Sequence, residues 1–167
     1  MIQDLKALYY DQLRDLYSAE TQLLEALPKM VRNATDADLK EAFASHLEET
    51  RGQKARLEEI CARHGIAPEG ETCDAMKGLI KEAEKHAEET VAGPVRDAVL
   101  IASANRVEHY EIAGYGTAKC YADILDFSED KKQLDETLDQ ESDADKKITK
   151  IATGRLLRDG INEEALA

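Results

Sequence analysis

Apolar residues recur along most of the chain at intervals of three and four, the spacing that gathers side chains on one side of an α-helix. A first helix is predicted over residues 4–33, with Leu5, Leu8, Leu13, Leu16, Tyr17, Leu24, Leu27 and Val31 on one stripe. Pro28 falls in its last turns and is expected to kink them. Thr35, with an acid three positions on at Asp38, supplies a capping pattern for a second helix over 36–64, which Gly65 and Pro68 stop. Its inward positions are Leu39, Ala42, Phe43, His46, Glu49, Thr50, Gln53, Leu57 and Ile60. Residues 66–92 interrupt the pattern and carry a shorter amphipathic helix over 73–91, read as a crossover returning the chain along the bundle. Gly93-Pro94 restarts helicity for a third core helix over 94–125, with Val95, Val99, Ala102, Asn105, Ile112 and Tyr115 facing inward. Ser128-Glu129-Asp130 is expected to cap a fourth over 129–158, with Leu134, Leu138, Glu141, Asp145, Ile148 and Ala152 on its inner face. The expected fold is all-α: a four-helix bundle of two antiparallel pairs with an extra short helix in the long crossover, forming one domain over 1–167.

Acids interrupt every core stripe. Glu20, Glu49, Glu108, Glu111, Glu141 and Asp145 all fall on or beside the apolar faces. Glu20 lies 14 residues before Ala34 and Glu49 lies 15 after it. At a rise of about 1.5 Å per residue, an antiparallel hairpin brings the two to nearly the same depth. Taking Phe127 as the second turn, Glu108 lies 19 residues before it and Asp145 18 after, while Glu111 lies 16 before and Glu141 14 after. Ionised carboxylates in a dry core need compensating positive charge, about two to four units for this set. The helices turn few Lys or Arg inward. Two divalent ions per chain would balance the site, and hard oxygen ligands select iron or manganese. His46, one turn before Glu49, reads equally as a ligand, as a support for a ligand, or as an ordinary core histidine.

Composition narrows the function classes. The formal net charge of −13 argues against nucleic acid as a partner and suits a protein that attracts cations. No run of about 18 apolar residues is present to span a bilayer, and the first residues lack a signal-peptide pattern, so a cytoplasmic protein without a membrane partner is expected. Cys61, Cys73 and Cys120 are widely spaced and form no C-x-x-C pair, against a disulfide framework or a zinc ribbon.

The segments 16–24 (LYSAETQLL), 26–30 (ALPKM), 46–50 (HLEET) and 107–113 (VEHYEIA) resemble the YciF-like branch of the ferritin-like superfamily. The resemblance extends over nearly the whole chain. It implies a four-helix core with a crossover helix, assembly as a homodimer, and a stress-linked role. A more distant likeness is to rubrerythrin, where one Glu on each of the first two helices, a Glu-x-x-Glu on the third, and a Glu with a nitrogen ligand on the fourth hold two irons. Glu20, Glu49, Glu108 with Glu111, and Glu141 would take those roles here. The chain departs from that pattern in having Gly52 three residues after Glu49 and Asp145 in place of a nitrogen ligand. With no Cys pair for an attached rubredoxin, electrons would come from a separate donor. The expectation is a two-metal protein with peroxide- or dioxygen-dependent redox chemistry. The alternatives are a non-catalytic structural or interaction bundle whose metal only stabilises the core, and iron storage.

Overall fold

The computed structural model describes residues 2–154 and 159–166. Its elements in chain order are α1 (Leu5–Asn33), α2 (Ala37–Arg63), α3 (Asp74–Glu88), α4 (Pro94–Ile124), α5 (Ser128–Thr153) and a four-residue turn of helix, α6 (Ile161–Glu164). The described residues are all-helical apart from the connections, as the periodicity predicts. Pro28 sits inside the continuous α1.

Packing joins α1 to α2 and α4 to α5 as hairpins, sets α1 against α4 and α2 against α5, and lays α3 across α1 and α4. Both hairpins are antiparallel: Tyr17 in the first half of α1 donates to Glu58 late in α2, and Asn105 in the first half of α4 reaches Asp145 in the second half of α5. The crossover helix runs beside α1, where Gln22 Nε2 donates to the Cys73 carbonyl and Lys29 pairs with Glu84.

Helix ends differ from the sequence expectation in four places, one of them the crossover helix, which ends at Glu88 rather than at 91. The cap of α2 is Asp36 rather than Thr35, and its carboxylate accepts from the Leu39 amide. The Thr35 and Asp36 amides are instead held by the buried carboxylate of Asp97, at 2.7 and 2.8 Å. Ser128 is the first residue of α5 and does not cap it; Phe127 occupies the cap position with no side-chain bond. The helix expected to continue to residue 158 ends at Thr153, because Gly154 adopts a φ of 80°, a left-handed conformation that closes helices. Of the expected remainder, 155–158 lie outside the described residues.

The face of α4 is also rotated from the one expected. Val95 and Ala102 point to solvent, while Leu100, Ile101, Ala104, Val107, Ala118 and Ala122 are buried with Tyr115. The reason is that α4 carries apolar residues on every side, so spacing alone leaves its orientation undetermined.

Buried apolar side chains fall into three clusters. One, around Tyr9, Leu13, Leu57 and Leu134, fills the end near the α4–α5 turn. A second, around Leu39, Phe43, Leu100 and Ile148, fills the opposite end. A third, around Leu23, Met76 and Val107, lies under α3. Between them the interior turns polar: Glu20, His46, Thr50, Gln53, Glu108, Glu111 and Glu141 are all buried.

Candidate metal centre

Each core helix sends a polar side chain into this layer. Glu20 lies on the buried stripe of α1 between Leu16 and Leu23, and His46 and Thr50 on that of α2 between Phe43 and Leu57. Glu108 and Glu111 sit between Ala104 and Tyr115 on α4, and Glu141 between Leu134 and Ile148 on α5. Amphipathic periodicity therefore pulls these groups inward along with their apolar neighbours, against the cost of desolvating them.

His46, Glu108, Glu111 and Glu141 each place one ligand atom within 4.8 Å of the others. The His46 Nε2 stands 3.4 Å from Glu108 Oε1 and 3.7 Å from Glu141 Oε2. Glu20 is fully buried beside them, with one oxygen accepting from the Tyr115 hydroxyl. Among the described residues, the following buried atoms of this group have no hydrogen-bond partner: Glu20 Oε2, His46 Nε2, Glu108 Oε2, and both carboxylate oxygens of Glu111 and Glu141. Folded proteins pair nearly all such atoms, so a concentration of unpaired acceptors in one place calls for a missing partner.

The electrostatics agree. Burial, reinforced by the charge of Glu141, pushes Glu20 up to about 8. Burial, opposed by the side-chain contact with Glu141 and reinforced by the charges of Asp145, Glu20 and Glu49, does the same to Glu108, also to about 8. Burial together with the neighbouring carboxylates raises Glu111 and Glu141 well above the ordinary carboxylate range. For His46, burial works downward, but the Glu49 contact and the charges of Glu141 and Glu20 outweigh it and the imidazole is raised. Arg56 is a nearby cation that favours ionised Glu20, yet its guanidinium is engaged with Gln140, Thr137 and Glu136. No hydrogen bond or ion pair to a lysine or arginine is found for Glu20, Glu108, Glu111 or Glu141 among the described residues.

Of the six expected site acids, Glu108, Glu111 and Glu141 fall in this cluster with His46 and Glu20 is buried beside it, while Glu49 and Asp145 stand apart. Glu49 has a side chain 39 % exposed and lies on the far side of His46, 3.3 Å from Nδ1; contact with His46 holds its carboxyl below the usual range. Asp145 accepts from Asn105 Nδ2 at 2.7 Å and lies 3.5 Å from the exposed His109.

Tyr17, Tyr110 and Tyr115 read from sequence chiefly as core aromatics, with a hydrogen-bonding task near the metals as the lesser reading. Tyr115 takes that task, its hydroxyl being the donor to Glu20, while Asp130 is not singled out by sequence. Asp130 is buried and satisfied by Tyr9 at 2.9 Å, His64 at 2.5 Å and Arg63. It ties the start of α5 to α1 and α2. Its position next to Ser128 suggested a helix cap, and nothing local could reveal partners 66 to 121 residues away.

The chain can be set beside known proteins. Residues 4–165 match the family model described as "Domain of unknown function (DUF892)". Protein YciF of Escherichia coli (strain K12) is 42 % identical over 152 residues, which cover 90 % of this chain and 92 % of YciF. The crystal structure of that E. coli stress protein superposes with a TM-score of 0.85, covering 89 % of this chain and 94 % of the other. The structure of YcfI from Rhodopseudomonas palustris, a protein provisionally assigned a structural role, gives a TM-score of 0.88 at 42 % identity, covering 90 % and 96 %. No described helix is long and apolar enough to cross a membrane. With the family model spanning all the core helices and the same bundle recurring at this identity, the chain belongs to the YciF-like DUF892 family.

Proposed function

We propose that the protein is a carboxylate-bound two-metal protein that carries iron or manganese and uses it in redox reactions with peroxide or dioxygen. The observation that supports this is the set of unpartnered buried atoms on Glu20, His46, Glu108, Glu111 and Glu141. Four buried carboxylates, ionised, carry four negative charges, which two divalent ions neutralise. Hard oxygen donors with one imidazole suit iron or manganese. Glu108, Glu111, Glu141 and His46, with Glu20 buried beside them, would hold the ions, and Glu49 and Asp145 would be further carboxylates at the margin of the site. Bound there, the ions would supply Lewis acidity and one-electron steps that no side chain of this chain provides.

The chain's own residues contribute enclosure, orientation and proton placement. Tyr115 fixes one oxygen of Glu20 and leaves the other free. The Glu49 contact at His46 Nδ1 orients the ring so that Nε2 faces the cluster, the arrangement by which an outer carboxylate sets the tautomer of a ligating histidine. Apolar clusters on both sides keep bulk water out. By analogy with its E. coli relative, a stress protein, the role is stress-related; a homodimer and a separate electron donor complete the proposal.

A second reading is that metal only locks the core, which the complete enclosure of Glu20, Glu111 and Glu141 favours. Elemental analysis after anaerobic reconstitution separates the possibilities. Near two iron or manganese ions per chain, with rapid oxidation of the reduced iron form by peroxide, is the expected result. Two ions with sluggish oxidation support the locking role, and no bound metal ends both.

A further inference from the structure

Four seams separate the core helices, and they are unequal. Two lie inside the hairpins. The α1/α4 seam is covered by α3 and is tight, since a methyl group built on Gly114 would stand only 2.8 Å from Leu16 Cδ2. The α2/α5 seam, on the opposite side, has no covering helix among the described residues, and a cavity of about 160 Å³ opens along it. Glu49, Gln140, Asp143 and Lys147 line it, with Phe43 and Ile148 as apolar wall.

Glu49 belongs both to this groove and to the surroundings of the centre. Its carboxylate is 3.3 Å from His46 Nδ1, and the other ring nitrogen is 3.4 Å from Glu108 Oε1. A single imidazole thus separates a carboxylate with 39 % exposure from one with 4 %. Glu49 feels both rim charges, Lys147 favouring its ionised form and Asp143 opposing it, so a cation at Glu49 would feel them with reversed sign. Near the α4–α5 turn the bundle is closed by Tyr9, Leu13, Leu57 and Leu134 and by Asp130, whose carboxylate is engaged by Tyr9, His64 and Arg63, and at the opposite end by Leu39, Phe43, Leu100 and Ile148.

We propose that the α2/α5 groove is the entry route by which divalent cations reach the buried carboxylates, with Glu49 as the receiving oxygen ligand on the solvent side of His46. This rests on the metal-centre reading above. Asp143 draws the cation toward Glu49, and Lys147 opposes it. Both side chains are on the rim and outside the cluster, so they act on the rate of loading rather than on its end point.

Stopped-flow absorbance of Co(II) binding to the chelator-stripped chain tests this, with equilibrium stoichiometry measured in parallel. Asp143→Lys should slow uptake and Lys147→Glu should speed it, each by about three- to tenfold at low salt and converging near 1 M salt, while final Co(II) content stays at the parent value. Lys81→Glu, the same charge change on α3 across the bundle, should leave the rate unchanged. Rates equal to the parent in both groove variants, or an equal response from Lys81→Glu, would overturn the route while leaving the centre intact. Absence of Co(II) binding to the parent chain itself would instead remove the centre on which the route depends.

Discussion

The Tyr115 hydroxyl donates to Glu20, which joins α4 to α1 inside the carboxylate layer. Both residues are fully buried, so neither has water to fall back on. Tyr115→Phe keeps the ring's packing but leaves a Glu20 oxygen without its donor. The expected cost to the metal-free protein is about 1–3 kcal/mol, the usual penalty for an unsatisfied buried group. Metal affinity should fall by about ten- to a hundredfold, as when a residue that orients a ligand is lost. Thermal denaturation and a chelator competition titration read the two effects separately.

The metal-free and metal-loaded forms should respond to pH in opposite directions. Folding raises Glu20 and Glu108 to about 8 and raises Glu111 and Glu141 well above the ordinary carboxylate range. The native state then holds more protons than the unfolded chain between roughly pH 4.5 and 8 and above, so stability from these groups is complete below that interval and is lost as pH rises through it. His46, also raised, acts in the same sense. Denaturant midpoints of the metal-free protein should therefore fall steadily from pH 5 to 8.5. With iron(II) or manganese(II) in excess they should rise over the same range, because protons compete with the metal for the same oxygens. A metal-free curve that is flat or climbs would contradict the burial of ionisable carboxylates.

Glu111 provides the sharpest single substitution. Neither of its oxygens has a partner, and its exposure is zero. Glu111→Gln puts a permanently neutral group where the metal-free fold must otherwise keep a carboxyl protonated against solution pH, so the metal-free variant should be more stable than the parent at pH 8 by about 1–3 kcal/mol and should lose part of the pH slope. The same variant should bind fewer metal ions at saturation. A substitution that stabilises the empty form while impairing loading is the mark of a ligand held at the expense of the fold. Urea unfolding with and without manganese(II), together with metal content, measures both halves.

The bundle was legible in the sequence because α1 and α2 are amphipathic enough for period to reveal face: Leu13, Leu16 and Leu27, then Leu39, Phe43 and Leu57, are buried where spacing predicts. On α4, with Ala, Val, Ile and Gly on all sides, the predicted face missed the buried one, although Glu108, Glu111 and Tyr115 still lie on it. Counting residues from each turn brought the acids to similar depths but could not separate Glu141, which points into the layer, from Asp145 one turn on, which binds Asn105. Depth along a helix follows from sequence separation. Direction around the bundle depends on how neighbouring helices pack, which is why Glu49 ends beyond His46 rather than among the other carboxylates.

Asp97 extends the same distinction to acids that serve the fold alone. It is 2 % exposed, as deeply buried as the candidate ligands, but both its oxygens are satisfied by the amides of Thr35 and Asp36 at the α1–α2 turn. These are charge-assisted bonds to amides that no helix would otherwise satisfy. Asp97→Ala should destabilise the protein by about 2–4 kcal/mol, the sum expected for two such bonds in a buried setting. Asp97→Asn should recover only part of this, since an amide has one accepting oxygen where the carboxylate has two. Metal content at saturation should stay at the parent value in both variants. Measured side by side, thermal unfolding and metal analysis of the Asp97 and Glu111 variants should separate along both axes, the first losing stability without metal and the second losing metal while gaining stability.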